Sequence, residues 1–300
     1  MRGGVQAPTH SDQEEDVEDT GAYFARGMTA AQTDSPFLLS TSAYLNDPAL
    51  RDWVAQACLR RNSKGYPIVA DVSTLGPILY SHMNIPKVDD LFEAECAKNP
   101  ALAAWFETGF VSAITRESLA PYGPDTVGGI FRAYLVRNNF EPEFKGARGK
   151  IGKGYFSYYQ HRLSQQHDLE HICGGFSFEY ISEIGVTWMR MRSLFQHLSP
   201  ELAGALSLTY SLLMVPQLNR VILHYPQAFL PLWQNLQQGD LVGTTSEPIF
   251  MMKYEDVLHL PVEQAREKLG YRNVKQMDMS EAAAIYTEGF GTSEVKHAAE

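Results

Sequence analysis

Residues 167–183 read HDLEHICGGFSFEYISE: two histidines four apart, Asp168 beside the first, glycines at 174 and 175, and Glu183 after an aromatic run. On an α-helix, positions four apart lie one turn apart on one face, close enough for His167 and His171 to hold one metal ion through imidazole nitrogens. Glu183 cannot join them along a continuous helix, because at about 1.5 Å per residue it would lie about 18 Å beyond His171. Gly174-Gly175 breaks that helix and lets a second one, roughly residues 177–197, fold back. There Phe178, Ile181, Trp188, Met191 and Phe195 recur at helical spacing as a buried stripe, while Glu179, Glu183 and Arg190 share another. Asp168 points about 100° away from His167 on an ideal helix, so it is either a ligand at a distorted turn or an orienter of one. The plain alternative is a solvated or capped helix end that happens to carry histidines.

Outward from this stretch, helix signals dominate. NDPALRDWVAQACLRR opens with Asp47 at an N-cap and Pro48 at the first helical position, and NPALAAWFETGFVSAI repeats the device with Asn99 and Pro100. GPDTVGGIFRAYLVRNN and SPELAGALSLTYSLLMV follow, with Pro216 kinking or ending the latter, and HLPVEQAREKLG closes at Gly270. YPIVADVST alternates weakly, as a strand would. The expected fold is all-α: a single helical domain over residues 36–275 with a two-helix metal site, its apolar helices read as core first and as an apolar lipid-binding groove second. It is flanked by a disordered acidic tail (1–35) and a loose C-terminal tail (276–300).

The acidic tail has seven acids against Arg2 and Arg26, half of the formal net charge of −10. So acidic and apolar-poor a segment cannot offset its ordering entropy by burial. The body is only mildly acidic, which disfavours nucleic-acid binding, since neutralising phosphates needs a basic surface. Cys58, Cys96 and Cys173 form no CxxC pair and suit a reducing compartment. Cys173 is read first as a packed thiol. The apolar run from Leu202 to Pro216 is 15 residues long, short of the roughly 18 to 20 a spanning helix needs. With neither a signal segment nor a transit peptide, the cytoplasm is expected.

Other metal patterns fit less well. H-x-x-E-H inverted zincins, with Glu170 as base and Glu247 as a distant third ligand, need a mixed α/β scaffold. In H-E-x-x-H an aspartate in place of the base would misplace the water. An HD-type phosphohydrolase would need His82 and Asp278, both poorly placed.

His-Asp-x-x-His followed, after eleven residues, by Glu resembles the signature of the coenzyme Q biosynthesis protein 4 family. FRAYLVRNNFEPE upstream, Tyr158 and Arg162 nine and five residues before the first histidine, and YEDVLHLPVEQAREKLG at 254–270 extend the likeness over about residues 40–271. The resemblance implies an all-α fold in which His167, Asp168, His171 and Glu183 hold a divalent metal. The mixed nitrogen and oxygen set suits Zn²⁺ first, and also Co²⁺, Mn²⁺ or Fe²⁺. It implies a polyprenylated aromatic quinone precursor as partner, its tail against apolar helices that sequence alone reads as core. It also implies other quinone-biosynthesis enzymes as partners, peripheral contact with the inner membrane, and a homodimer as a candidate assembly. The implied activity is metal-dependent decarboxylation or oxidation at the ring carboxylate carbon, with Arg162 and Asp168 in catalytic roles. The alternative is a non-catalytic lipid-binding scaffold that organises the pathway's enzymes.

Two departures stand out. Ser164 occupies a position, three before His167, where the family often has arginine. KGARGKIGKG at 145–154 adds four basic residues among glycines, suited to an acidic head group or anionic surface; the plain alternative is a solvated loop.

Overall fold

The computed structural model describes residues 42–63, 69–142 and 152–288, and no β-strand forms among them. A turn at Ala43–Asn46 leads into α1 (Pro48–Leu59), α2 (Val69–His82), α3 (Ile85–Cys96), α4 (Pro100–Thr108) and α5 (Val127–Arg137). Then come α6 (Tyr155–Gly174), α7 (Glu183–His197), α8 (Pro200–His224), α9 (Phe229–Thr245), α10 (Val262–Leu269) and α11 (Ser280–Tyr286). The tail at 1–35 and all but residues 152–154 of the basic glycine-rich loop lie outside the described residues.

The expected caps form. The Asp47 carboxylate accepts from the backbone N–H of Ala49 at 2.7 Å, and Asn99 accepts from Ala101 and Leu102 at 3.1 Å. Three expectations are corrected. Residues 69–74 of the strand-like stretch begin helix α2, which runs on to His82: Leu75 and Leu79, one turn apart, are buried against Leu50, Trp53 and Ala57, and that packing overrides β-propensity. Pro216 does not end α8, whose buried face, Leu206, Tyr210, Met214 and Val221, continues on both sides of it. Residues 276–288 are packed: α11 lies among them, with Met279, Ala282 and Tyr286 buried.

α6 is the spine. Tyr159 and Leu163 enter one apolar cluster, while Leu169, Ile172 and Cys173 enter another. Its ends are held by groups that complement the helix dipole. At the N-terminus Asp89 of α3 accepts from Phe156 N–H at 2.7 Å. At the C-terminus Arg266 donates to the carbonyls of Cys173 (2.9 Å) and Ile172 (3.3 Å). Gly175 then terminates α6 in the left-handed conformation at φ 77°, as the glycine pair predicts.

The second helix is shorter than expected. Phe176–Glu179 is irregular, Tyr180–Ser182 is a 3-10 turn, and α7 begins at Glu183. Its buried face is Ile184, Gly185, Val186, Met189, Ser193 and Leu194. Of the predicted stripe only Ile181 is fully buried, and Phe195 is 44% exposed. The cause is close helix packing. A Cβ on Gly239 would meet the Gly185 carbonyl at 2.3 Å, and one on Gly243 would meet that of Met189 at 2.3 Å. Glycines at 239 and 243 therefore let α9 lie backbone to backbone on α7, and small residues rather than the largest apolar ones mark the contact.

Candidate metal centre

The break at Gly175 and the turn at 180–182 bring Glu183 over the histidine pair. His167 Nε2 lies 3.2 Å from Glu183 Oε2, and His171 Nε2 lies 3.2 Å from Glu183 Oε1. One ligand atom from each of the three residues falls within 4.8 Å of the others. His171 is buried at 1% side-chain exposure, whereas His167 and Glu183 keep 34% and 29%, so the site opens to solvent on one side.

The connector orients His171. Its Nδ1 is 2.7 Å from the Ser177 carbonyl, and since a carbonyl only accepts, Nδ1 carries the hydrogen. Nε2 then faces the Glu183 carboxylate, an arrangement that requires a positive centre between them: a proton, or a metal ion. Two imidazoles and a carboxylate fit a divalent transition metal. A ring stack steadies the same histidine. Phe178 lies between His171 (5.3 Å, 24°) and Tyr134 of α5 (3.8 Å, 11°).

The charges are coupled. Burial pushes the Glu183 carboxyl up, but His167 and His171 outweigh it and hold the group well below the usual carboxylate range. Burial pushes His167 down, but Glu183 outweighs it and the net shift is upward. A histidine raised in the folded state contributes stability fully present below its ordinary value of 6.5 and lost as pH rises through the folded value. In metal-free protein, the urea-midpoint advantage of the wild type over His167→Gln is therefore expected to shrink as pH is raised from 6.5. A constant advantage across that range would contradict the coupling. Burial, then Asp168 and Glu183, raise the Tyr134 hydroxyl.

Asp168 is half-buried and lies outside the trio, although its charge acts on both His167 and Tyr134. Arg162 is buried and already engaged, by Gln165 (2.8 Å) and Glu255 (3.2 and 3.3 Å). Tyr158 donates its hydroxyl to the Phe110 carbonyl at 3.0 Å. Ser164 is exposed and donates to the His161 carbonyl. Cys173 is packed in the core, its thiol pushed up to about 12 by burial.

The other metal patterns do not assemble. Glu170 pairs with Arg190, Glu247 packs under Gly270, His82 pairs with Asp47, and Asp278 accepts from Ser280 N–H. Sequence reasoning missed Tyr134, the Ser177 carbonyl, the Glu170–Arg190 pair, and the caps Asp89 and Arg266. Of these only Arg190 carried a signal, seven residues from Glu183 and hence on the same helical face.

A family model described as coenzyme Q (ubiquinone) biosynthesis protein Coq4 matches residues 111–275. That is a later start than the resemblance read from about residue 40. Among solved structures, a protein from Nostoc punctiforme provisionally assigned to ubiquinone biosynthesis matches with a TM-score of 0.52 and 19% identity, over 74% of this chain and 94% of that one. At that identity the likeness concerns the fold. No curated protein matches the chain.

Proposed function

The chain belongs to the coenzyme Q (ubiquinone) biosynthesis protein Coq4 family, and from that premise, which puts it in ubiquinone biosynthesis, we propose that it is a metal-dependent enzyme acting at the ring carboxylate carbon of a polyprenylated benzoate-type precursor. The observation that carries this is the donor set. His167, His171 and Glu183 offer three candidate donors on a site open at one side. Three protein ligands leave coordination positions free, whereas structural zinc sites are closed by four. A bound Zn²⁺, Co²⁺, Mn²⁺ or Fe²⁺ supplies Lewis-acid polarisation of the ring carboxylate or a neighbouring phenolate.

The chain's own residues then position the site. Ser177 and Phe178 fix the His171 ring. Asp168, outside the trio, acts on His167 through its charge. Tyr134 backs the Phe178 ring that steadies His171. Arg162 can steer the substrate carboxylate only by exchanging Glu255 for it. The prenyl tail would run along apolar side chains of α8 and α9.

A second reading, a non-catalytic lipid-binding scaffold that organises the pathway's enzymes, is favoured by one observation. Val215, Ile222, Leu223, Leu230 and Trp233 on α8 and α9 are exposed, a surface suited to peripheral membrane contact. No helix among the described residues is long and apolar enough to cross a membrane.

The test is genetic. A strain lacking the protein is expected to accumulate a prenylated precursor that still bears its ring carboxylate, and a Glu183→Ala allele at normal abundance should give the same profile. Normal quinone from that allele, with metal loss confirmed, would overturn the enzyme reading in favour of the scaffold.

A further inference from the structure

The connector between His171 and Glu183 carries three things the centre depends on: the Ser177 carbonyl, the Phe178 ring and the entry into α7. Its inner side is held by Gln217, which donates to the carbonyls of Tyr180 and Ile181, and by Asn235, which donates to the Ser182 hydroxyl. Its outer side is met by a segment that begins where the family match ends.

Gly175 packs against the Lys275 carbonyl so closely that a Cβ there would come within 2.4 Å. Two residues on, Met277 N–H donates to the Gly175 carbonyl at 2.8 Å. The chain then forms α11, and Tyr286 lays its ring parallel to Tyr180 (6.4 Å, 4°). Past that stack the segment is tied to the end of α1. Asn62 Nδ2 donates to the Tyr286 carbonyl at 2.7 Å, and Glu288 accepts from Arg61 (2.6 Å) and the Tyr225 hydroxyl (3.0 Å).

We propose that residues 276–288 form a strap across the connector, with Met277 fixing its start and Tyr286 its end, and that the strap sets the spacing between His171 and Glu183. Tyr286 is thus a positioning residue, acting through Tyr180. The consequence for metal affinity rests on the reading of the trio as a metal site; the restraint of the connector does not. A restraint that keeps ligands at their bound spacing removes an ordering cost from binding. Loss of supporting contacts around a metal site commonly weakens it about 10- to 100-fold.

The experiment uses the full chain as wild type, Tyr286→Ala and Tyr286→Phe. In metal-free protein, Tyr286→Ala is expected to speed amide hydrogen exchange over residues 176–183 by about tenfold, while α3 keeps its protection. Zinc titrated calorimetrically should bind that variant about tenfold more weakly. Tyr286→Phe keeps the ring stack and should retain most of the protection and zinc affinity that Tyr286→Ala loses. Should Tyr286→Ala fail to fold, Glu288→Gln releases only the far, half-exposed anchor and should still speed connector exchange. Unchanged exchange over 176–183 would overturn the strap, and faster exchange with unchanged zinc affinity would overturn its role in spacing the ligands. Faster exchange in a protein whose wild type takes up no zinc would uphold the strap and defeat the metal reading instead.

Discussion

Glu183→Ala is expected to strip the protein of its divalent metal while leaving the fold in place. Wild-type protein purified without chelator should carry near-stoichiometric transition metal by elemental analysis. The variant should bind zinc more than about 100-fold more weakly, beyond what loss of a supporting contact alone would cost. The geometry gives the reason: Glu183 is the one member of the trio delivered by the second helix, and it meets both imidazoles. The side chain itself contributes little packing. It is part-exposed at the first position of α7, and Ile184, Met189 and Leu194, which hold that helix in the core, are untouched. His171→Ala should lose metal to the same degree, whereas Cys173→Ala should retain it, because the thiol lies in the apolar cluster below α6. Full zinc occupancy in Glu183→Ala, or a wild type with no measurable affinity for zinc or cobalt, would sink the site.

Much of this centre was legible in the sequence because it rests on local rules. Four-residue spacing puts the two histidines on one face, and a glycine pair ends their helix. The caps at Asp47 and Asn99 were legible for the same reason. What could not be read depends on partners distant in the chain. Asp89 and Arg266, which close the two ends of α6, come from 67 and 93 residues away, and Tyr134 reaches the site only through Phe178. The face of α7 departs from the expected stripe because apolar size does not mark burial there: glycine at 185, 239 and 243 allows the closer approach. Residues 69–74 look β-branched and alternating in isolation, and only the cluster around Trp53 makes that stretch helical.

The largest expected loss of stability comes from Arg190→Met. Glu170 has no exposed side-chain surface, and its Oε2 accepts from Arg190 Nε at 2.5 Å, while Arg190 Nη2 donates to the Leu163 carbonyl at 2.8 Å. Burial opposes the charge on Arg190, but Glu170 outweighs it and the guanidinium is held charged. Removing the cation leaves a carboxylate buried without its counter-charge, a change that typically costs about 3–5 kcal/mol. At about 2–4 °C per kcal/mol for a domain of this size, the melting temperature should fall by about 6–20 °C. Replacing both partners, as Glu170→Leu with Arg190→Met, removes the buried charges together and should recover most of the loss, so a double-mutant cycle should give a large coupling energy. A single variant within about 1 kcal/mol of wild type would show that the pair is not desolvated as its contacts imply. The double variant also decides what the pair does for the centre. It ties α7 to α6 beside the histidines, and Arg190 opposes the raised proton affinity of His167. If the apolar pair keeps zinc affinity at a given pH, the contribution is mechanical, holding together the two helices that carry the trio. If stability returns but zinc affinity changes, the contribution is electrostatic, because the charges of Glu170 and Arg190 act on a bound dication as well as on the His167 proton that it displaces.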